Sequence, residues 1–475
     1  MSLMGIFEES RCIALQVQGI QFGHLDRTRR YNQVISVLHS SNASLSFPEL
    51  FKNQHQLKGF YRLMNNKSVN HSTFISGYRS GLIAYSKEQS NADPWILVQD
   101  TMLTDYNSRN LDLGYTQTER SNGFLLHHGL LLDEQFVPLG LLHQEVIHRE
   151  RSDFGKAAKG RNKPIAEKES NKWLEGVKTG ISFSKETGRD LIHIMDREAD
   201  IVEVINKCIE ADQYFVIRGR HDRSTLTVSE RDKATDSEFY RLFNLMPSLP
   251  EPSTIVRKLR NEKGKEYEAK CDMSYHSFKF RGIDKEISCV WIREQSSAMA
   301  EATKEGEEKL AEWFLLTNRV ITNEKDAENI GEYYSKRWTV EDFHKCYKTG
   351  CSIEKRQFDT RKALTASIGL LAITAIVLLR SRYYARYQHN ISFETIVPDK
   401  AEQELARRIA DKYLMPTDKL LCEPYTALWW LLLLGRMGGH QGLKNKGLPG
   451  WQTLWKGYSF FQSLAIGFKY ANNSP

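Results

Sequence analysis

The segment between residues 333 and 348 carries the most ordered pattern of charged side chains in the chain. On a helix, spacings of three and four residues put five polar side chains on one face: Tyr334, Arg337, Glu341, Lys345 and Lys348. The same helix would turn a second face to the core, made of Tyr333, Val340, Phe343 and Tyr347. A carboxylate within a row of cations can hold Mg²⁺ or Mn²⁺ while the cations hold phosphates. For such a row alone, an exposed face of ion pairs is the more common explanation, and only its combination with carboxylates elsewhere in the chain favours metal-dependent phosphoryl transfer.

Two further carboxylates follow short apolar runs that predict β-strands. Asp100 comes after the run 95–98, and Asp196 comes directly after the run 191–195. A helix is predicted over 169–181, before the second of these strands. Strands with an intervening helix predict an α/β core. The strand-end positions strengthen the case for a metal site, since three acids picked from the 59 in the chain would be weak evidence.

Three neighbouring acids are alternative ligands. Glu198 and Asp200 flank Asp196, but a strand that ends at residue 195 exposes Asp196 first. Asp342 lies beside Glu341 and points about 100° away from it on a helix. Asp100, Asp196 and Glu341 are therefore the preferred set.

The composition is that of an ordinary globular protein with a mild excess of positive charge. The chain has 475 residues, of which 40% are hydrophobic and 26% charged. This composition excludes a collagen-like, purely coiled-coil or wholly disordered chain, and the length indicates two to four domains. Lys plus Arg number 66 against 59 Asp plus Glu, a net charge of +7. Such an excess permits a polyanionic partner without requiring one.

The seven cysteines form no CxxC pair, which argues against a disulfide framework and a zinc knuckle. Their use favours a reducing, cytoplasmic setting. His143 and His344 lack a paired ligand at zinc spacing and are expected to be ordinary hydrogen-bonding residues. The first twelve residues contain no apolar stretch of the kind that a signal peptide needs.

One uncharged stretch, residues 363–379, needs to be weighed as a membrane span. It is flanked by Lys362 and Arg380 and contains Thr, Ser and Gly. Its length falls at the bottom of the range of about 17–25 residues for a spanning helix. We therefore expect a buried core helix and no membrane partner.

The remaining chain changes from helical to β-rich and back to helical patterns. Residues 1–70 hold short helical runs with a basic cluster at 26–30, and the basic run 149–163 predicts an exposed loop. Strands are predicted over 123–132, 136–147, 214–218, 225–228, 275–280, 287–292 and 313–317. From residue 327 the chain is predicted to be helical almost to its end.

These residues resemble the bacterial DDE transposases of the insertion-sequence-four group. The resemblance lies first in the block 196–201 and in the tyrosine, arginine, glutamate and lysine at 334, 337, 341 and 348. Further matching stretches are 99–101, 140–145, 167–170, 172–174, 313–317 and a tail from 435 to 455. The resemblance extends over nearly the whole chain, with departures at 149–166 and 222–310.

The resemblance implies a cut-and-paste DNA transposase with an RNase H-like mixed-sheet core. It implies that Asp100, Asp196 and Glu341 hold two Mg²⁺ or Mn²⁺ ions. Residues 1–70 would recognise DNA ends, and residues 386–475 would pair two protomers. The catalytic domain would span 71–385, with a β-rich insertion at about 213–320.

The implied partners are double-stranded DNA, as transposon ends and target, and a second copy of the chain in the DNA-bound complex. Trp313 would stack on a base flipped out of the duplex. The other expected DNA contacts are Arg27, Arg30, Arg62, Arg218, Tyr334, Arg337, Lys345 and Lys348.

Three alternatives differ in what they leave unexplained. A metal-dependent nuclease or resolvase on the same fold would cut DNA without joining it. A DNA-binding regulator would bind the ends without catalysis, so it would not need Asp100, Asp196 and Glu341 or the cationic row beside Glu341. A glycosidase with paired carboxylates gives no role to Arg337 and Lys348.

Overall fold

The structure is a computed structural model. It describes residues 11–40, 43–51, 53–108, 110–155, 163–225, 240–249, 252–260, 266–295, 310–397, 399–442 and 447–472. The strands in these ranges are β1 (Trp95–Leu103), β2 (Leu125–Leu132), β3 (Pro138–Ile147), β4 (Leu191–Met195), β5 (Tyr214–Arg218), β6 (Ser253–Arg260), β7 (Glu266–Phe278), β8 (Ile287–Glu294) and β9 (Glu312–Thr317). Their pairs are both parallel and antiparallel, so the predicted α/β class with a mixed sheet is confirmed.

Helices precede, separate and follow these strands. The first five are α1 (Arg11–Gln18), α2 (Leu25–Ser40), α3 (Phe47–Leu50), α4 (Gln54–Asn65) and α5 (His71–Glu88). The next five are α6 (Asn171–Thr187), α7 (Val202–Glu210), α8 (Leu242–Ser248), α9 (Glu324–Ser335) and α10 (Trp338–Lys345). The last five are α11 (Arg361–Tyr387), α12 (Lys400–Tyr413), α13 (Pro416–Lys419), α14 (Ala427–Met437) and α15 (Trp451–Asn472).

The chain divides into two compact units that exchange segments along the sequence. The first unit consists of Met1–Asn91, Thr101–Ala157 and Glu341–Pro475, and the second of Ala92–Asp100 and Ala158–Val340. Asp100 and Asp196 both belong to the second unit, whereas Glu341 begins the last segment of the first.

In the second unit the strands follow the order β1, β4, β5, β9, β8, β7, β6. β4 pairs in parallel with both β1 and β5, and the later pairs are antiparallel. Every residue of β4 is buried, as expected for a central strand covered on both faces. One apolar cluster joins α6, α7 and α8 to the sheet and includes Trp173, Ile205, Phe215, Leu242 and Leu316.

Two glycines let α6 lie close against β1, which carries Asp100, and β4, which Asp196 follows. A Cβ added at Gly176 would lie 2.0 Å from Oε1 of Gln99, and one added at Gly180 would lie 2.5 Å from Cε1 of His193. A larger residue at either position would push the helix away from β1 and β4. The packing of α6 therefore fixes the strands that carry the carboxylates.

His193 on β4 makes the stability of the chain sensitive to acid. Its side chain is fully buried, and this burial lowers the pKa of His193 to about 4. In the unfolded chain, the imidazole of His193 takes up a proton near pH 6.5, whereas in the folded chain it stays neutral down to about pH 4. The free energy of unfolding therefore falls as the pH drops from about 6.5 towards 4. The loss from this one group is about 2 kcal/mol at pH 5.

Thermal unfolding measured from pH 7.5 to pH 5 tests this expectation. The midpoint should fall less steeply in a His193→Asn variant than in the wild type. His55→Asn, which changes an exposed histidine of α4, should keep the wild-type slope. Equal slopes for all three proteins would contradict the assignment.

In the first unit, α11 is the central helix and packs against α5 and β3. It is long and apolar enough to cross a membrane, with a mean hydropathy of 2.1, but 89% of its apolar window is buried. The hydroxyl of Tyr78 on α5 donates to the carbonyl of Leu370 on α11 at 3.1 Å. The predicted core helix is thus present, and it is longer than the uncharged stretch 363–379.

Apart from 225–228, the predicted strands are confirmed in the described ranges, but the sequence analysis did not predict α5, α7, α8, β6 or the first part of β7. Strand 225–228 has its last three residues outside the described ranges, as do residues 156–162 of the basic loop. α8 was missed because it is short and Pro247 lies near its end. β6 was missed because its residues do not alternate: Ile255 and Val256 are followed by two adjacent cations, Arg257 and Lys258. All seven cysteines are free.

Candidate active site

Asp100 lies on β1, and Asp196 directly follows β4, the strand that pairs with β1 in parallel. The register pairs Trp95 with Leu191 and Val98 with Ile194; continued for two residues, it pairs Asp100 with Asp196. Partners in a parallel pair point to the same face, and neighbouring strands are about 4.8 Å apart. From this register we expect the two carboxylates to lie near each other, beside the end of β4.

Arg337 lies against this pair of carboxylates. Its Nη1 donates to Oδ2 of Asp100 at 3.2 Å, and each of the two side chains is only 15% exposed. The guanidinium carbon is also 5.1 Å from the ring centre of Trp338. The sequence-predicted cation and carboxylate are thus in direct contact within the second unit.

Burial and local charge act against each other at Asp196. Loss of solvent raises the pKa of Asp196, and repulsion from Glu198 adds to this rise. The backbone N–H of Glu198 donates to Oδ1 of Asp196 at 2.7 Å. This bond, together with Arg337 and Lys172, lowers the pKa of Asp196 without cancelling the effect of burial. Additional positive charge would stabilise the ionised carboxylate.

The two aspartates suit a hard divalent cation in donor type and in charge. Carboxylate oxygens are the preferred ligands of Mg²⁺ and Mn²⁺, and the under-compensated Asp196 favours a cation. Within the described ranges, no group of three or more His, Cys, Asp or Glu residues is arranged to hold a metal. Asp100 and Asp196 are the two predicted ligands that belong to the second unit.

The prediction of one continuous helix from Tyr334 to Lys348 was wrong. α9 ends at Ser335, α10 begins at Trp338, and a π-helical turn follows from Cys346 to Gly350. At the junction, the N–H groups bond three residues back, for example from Arg337 to the carbonyl of Tyr334. These tighter bonds change the rotation per residue, so the five polar side chains do not share one straight face.

The predicted core face is confirmed in part. Val340, Phe343 and Tyr347 are completely buried. Tyr333, which was predicted to face the core, is only partly buried, whereas Tyr334, predicted for the polar face, is buried. The break after α9 accounts for this difference, because it rotates the end of that helix relative to an ideal continuation.

A second group of predicted DNA contacts surrounds Tyr334 in the second unit. The ring of Trp313 meets the ring of Tyr334 edge-on, with centres 5.3 Å apart. Nη2 of Arg218 donates to the carbonyl of Glu312 at 2.8 Å. Burial raises the pKa of Tyr334, while the charges of Arg337 and Arg218 lower it. Trp313 is only partly buried, so it is not a typical core tryptophan.

The remaining members of the predicted row lie in the first unit. Glu341 is partly buried on α10. Lys345 contacts the carboxylate of Asp342 at 3.5 Å, and Lys348 contacts that of Glu354 at 3.1 Å. Both lysines are thus paired with acids of their own unit.

The alternative acids have other partners. Asp200 is almost fully buried, and its carboxylate pairs with Arg223 at 2.7 Å. Glu198 pairs with Lys172 at 3.4 Å. Asp342 also lies 3.9 Å from Arg386. Asp200 is a structural anchor, whereas Glu198 supports Asp196 through its backbone.

The predicted end-recognition arginines differ in their surroundings. Arg27 donates to the carbonyl of Phe22 at 3.1 Å. Arg30 lies against Gly59, since a Cβ added there would be 2.3 Å from its Nη1. Arg62 is exposed on α4. Arg27 and Arg30 lie on α2 and Arg62 on α4, all within the first unit.

Sequence reasoning missed one residue beside Asp196. Lys172, in the first turn of α6, is buried next to Glu169 and Glu198. The available signal was a lysine three residues after a glutamate at a helix start, but its link to Glu198 depends on the fold.

One comparison with known families bears on this arrangement. Residues 180–378 match the family model described as the transposase DDE domain. The matched stretch contains Asp196, Glu341 and most of the predicted DNA contacts, and it ends before the C-terminal helices. The match supports a DDE transposase, which is a DNA-cleaving enzyme with DNA as its partner.

Proposed function

We propose that the chain is a cut-and-paste DNA transposase of the insertion-sequence-four group, similar to the transposon-five transposase. The observation that carries the proposal is one carboxylate on β1 and one directly after β4, its parallel neighbour, with Arg337 bound to the first at 3.2 Å. The family match over 180–378 supports the same reading. An RNase H-like core belongs to this proposal.

Asp100, Asp196 and Glu341 are the proposed ligands of two Mg²⁺ or Mn²⁺ ions. Such ions supply an activated water or 3′-hydroxyl and stabilise the leaving oxygen of an in-line displacement. Arg337 donates to Asp100 through one of the five N–H groups of a guanidinium. Because guanidinium groups bind phosphate oxygens well, Arg337 is the proposed phosphate-binding residue beside Asp100.

The DNA contacts are divided between the strand to be cut and the end sequence. At the cut, Trp313 receives a flipped base, and phosphates are held by Arg218, Tyr334, Arg337, Lys345 and Lys348. Residues 1–70 recognise the end through Arg27, Arg30 and Arg62. Residues 71–385 form the catalytic domain, with the β insertion at about 213–320, and residues 386–475 pair two protomers. The protein acts in the cytoplasm of a bacterial cell.

The proposed reaction has four steps, all of them phosphoryl transfers. Water first nicks one strand at the transposon end and releases a 3′-hydroxyl. That hydroxyl attacks the opposite strand to give a hairpin, and a second water opens it. The same hydroxyl then attacks target DNA. Each step exchanges one phosphodiester oxygen for another, so one set of carboxylates serves the whole sequence.

A duplex that carries the inverted repeats flanking the gene tests this function. With Mg²⁺ the purified protein is expected to cut at the repeat boundary, and a duplex with a scrambled repeat should remain intact. Binding of the repeat should weaken steeply with salt, because cations meet phosphates. A protein that binds the repeat but cuts it with neither Mg²⁺ nor Mn²⁺ would contradict catalysis and favour an inert regulator.

A further inference from the structure

Lys172 is a charged side chain in an unusual environment. Its side chain is only 4% exposed, although lysine is among the residues least often buried. Its ammonium lies 3.2 Å from Oε1 of Glu169 and 3.4 Å from Oε2 of Glu198. Both carboxylates are much more exposed than the lysine itself, at 32% and 53%.

Glu198 connects this lysine to Asp196. The residues after β4 form a single turn, Arg197–Ala199, and Asp196 caps it by accepting the backbone N–H of Glu198 at 2.7 Å. The N–H of Ala199 bonds to the carbonyl of Asp196 at 3.1 Å. The ion pair between Lys172 and Glu198 therefore also fixes the backbone N–H of Glu198, which orients the carboxylate of Asp196.

The charge of Lys172 has a second effect at the same place. The carboxylate of Glu198 repels that of Asp196, and the ammonium of Lys172 offsets this repulsion. Without the ammonium of Lys172, the repulsion between the carboxylates of Asp196 and Glu198 would be less well offset. Burial already disfavours the charged form of Asp196 there.

We propose that Lys172 is a positioning residue for Asp196, which holds the Arg197–Ala199 turn through Glu198 and offsets the charge of Glu198. The inference deepens the proposed function and rests on it only for the effect on cutting. The effect on the turn is a property of the free protein. Groups that orient a metal ligand typically contribute 10- to 100-fold to affinity or activity.

Amide hydrogen exchange tests the positioning without DNA or metal. In Lys172→Met, the amides of residues 197–200 are expected to exchange about tenfold faster, as for the loss of one charge-assisted contact. The matched control is Lys178→Met, which removes an exposed lysine of the same helix that pairs with Glu175 at 2.8 Å. The control should keep wild-type exchange, and unchanged exchange in Lys172→Met would overturn the proposal.

Cutting kinetics test the link to Asp196. Lys172→Met should lower kcat by about 10- to 100-fold, with the half-saturating duplex concentration unchanged. Lys178→Met should retain both values. Glu198→Gln introduced into Lys172→Met should restore part of kcat, because it removes the uncompensated charge although the ion pair that holds the turn stays lost.

Two other outcomes would overturn the proposal. A weaker duplex affinity that Glu198→Gln does not restore would mean that Lys172 contacts DNA directly. A large drop in the unfolding midpoint, with faster exchange throughout α6 and no restoration, would mean a purely structural ion pair. If the wild type cuts no duplex, the proposed function fails, whereas the exchange result still decides the role of Lys172.

Discussion

Asp100→Asn, Asp196→Asn and Glu341→Gln are each expected to abolish DNA cutting while leaving the binding of the transposon end nearly intact. Each change removes the charge of a proposed metal ligand without removing a DNA contact. The loss of several kcal/mol of transition-state stabilisation corresponds to about a thousandfold or more in rate. Cutting followed on gels, beside binding measured by gel shift, gives both quantities for each variant.

Matched controls separate ligand loss from a general loss of acidic charge. Asp190→Asn changes an exposed aspartate that directly precedes β4, and Glu332→Gln changes an exposed glutamate of α9. Both should cut at wild-type rates. Any of Asp100, Asp196 or Glu341 whose variant also cuts at the wild-type rate is not a ligand.

Asp196→Asn should also show that the ionised carboxylate of Asp196 lowers the free energy of unfolding. Burial disfavours the charged form of this side chain, and the amide has no charge to desolvate. The inactive variant is therefore expected to unfold at the same temperature as the wild type or at a higher one. A large fall in the midpoint would instead assign Asp196 a structural role.

Trp313→Ala is expected to nick the first strand normally but to form the hairpin about 10- to 100-fold more slowly. Hairpin formation bends one strand sharply back on its partner, and a base moved out of the stack relieves that strain at a cost of a few kcal/mol. Stacking on an indole offsets about 1–3 kcal/mol of it. Time courses that resolve nicked and hairpin products measure the two steps separately.

Trp291 provides the control for a structural effect. It lies on the neighbouring strand β8, is 4% exposed and donates its indole N–H to Glu312 at 2.8 Å. Trp291→Ala should lose stability by about 3–5 kcal/mol and all activities together. The same behaviour in Trp313→Ala, or a stable variant with unchanged hairpin formation, would show that Trp313 has no role in base flipping.

The strand-end carboxylates could be predicted because their signal is local. An apolar run followed by an acid predicted β4 and Asp196 directly after it, whereas β1 continues past Asp100 to Leu103, so Asp100 lies inside its strand. The close approach of α6 at Gly176 and Gly180 could not be predicted, because two glycines in a helical stretch do not reveal it.

The junction between α9 and α10 could not be predicted from the same kind of signal. Residues 333–348 contain no glycine or proline, so the helical period continues through the segment without a visible break. Tyr334 is instead buried against Trp313, a contact between residues far apart in the chain. Lys172 was missed for the same reason, since its partner Glu198 approaches only after folding.

Joining of a precut transposon end to a target plasmid tests the central claim most directly, because a nuclease on the same fold cuts without joining. With Mg²⁺, an end that exposes the 3′-hydroxyl should become covalently attached to the plasmid, and an end with a 3′-deoxy terminus should not. The Glu341→Gln variant should join neither. Cutting of the uncut end without any joined product from the precut one would contradict a transposase and identify a nuclease.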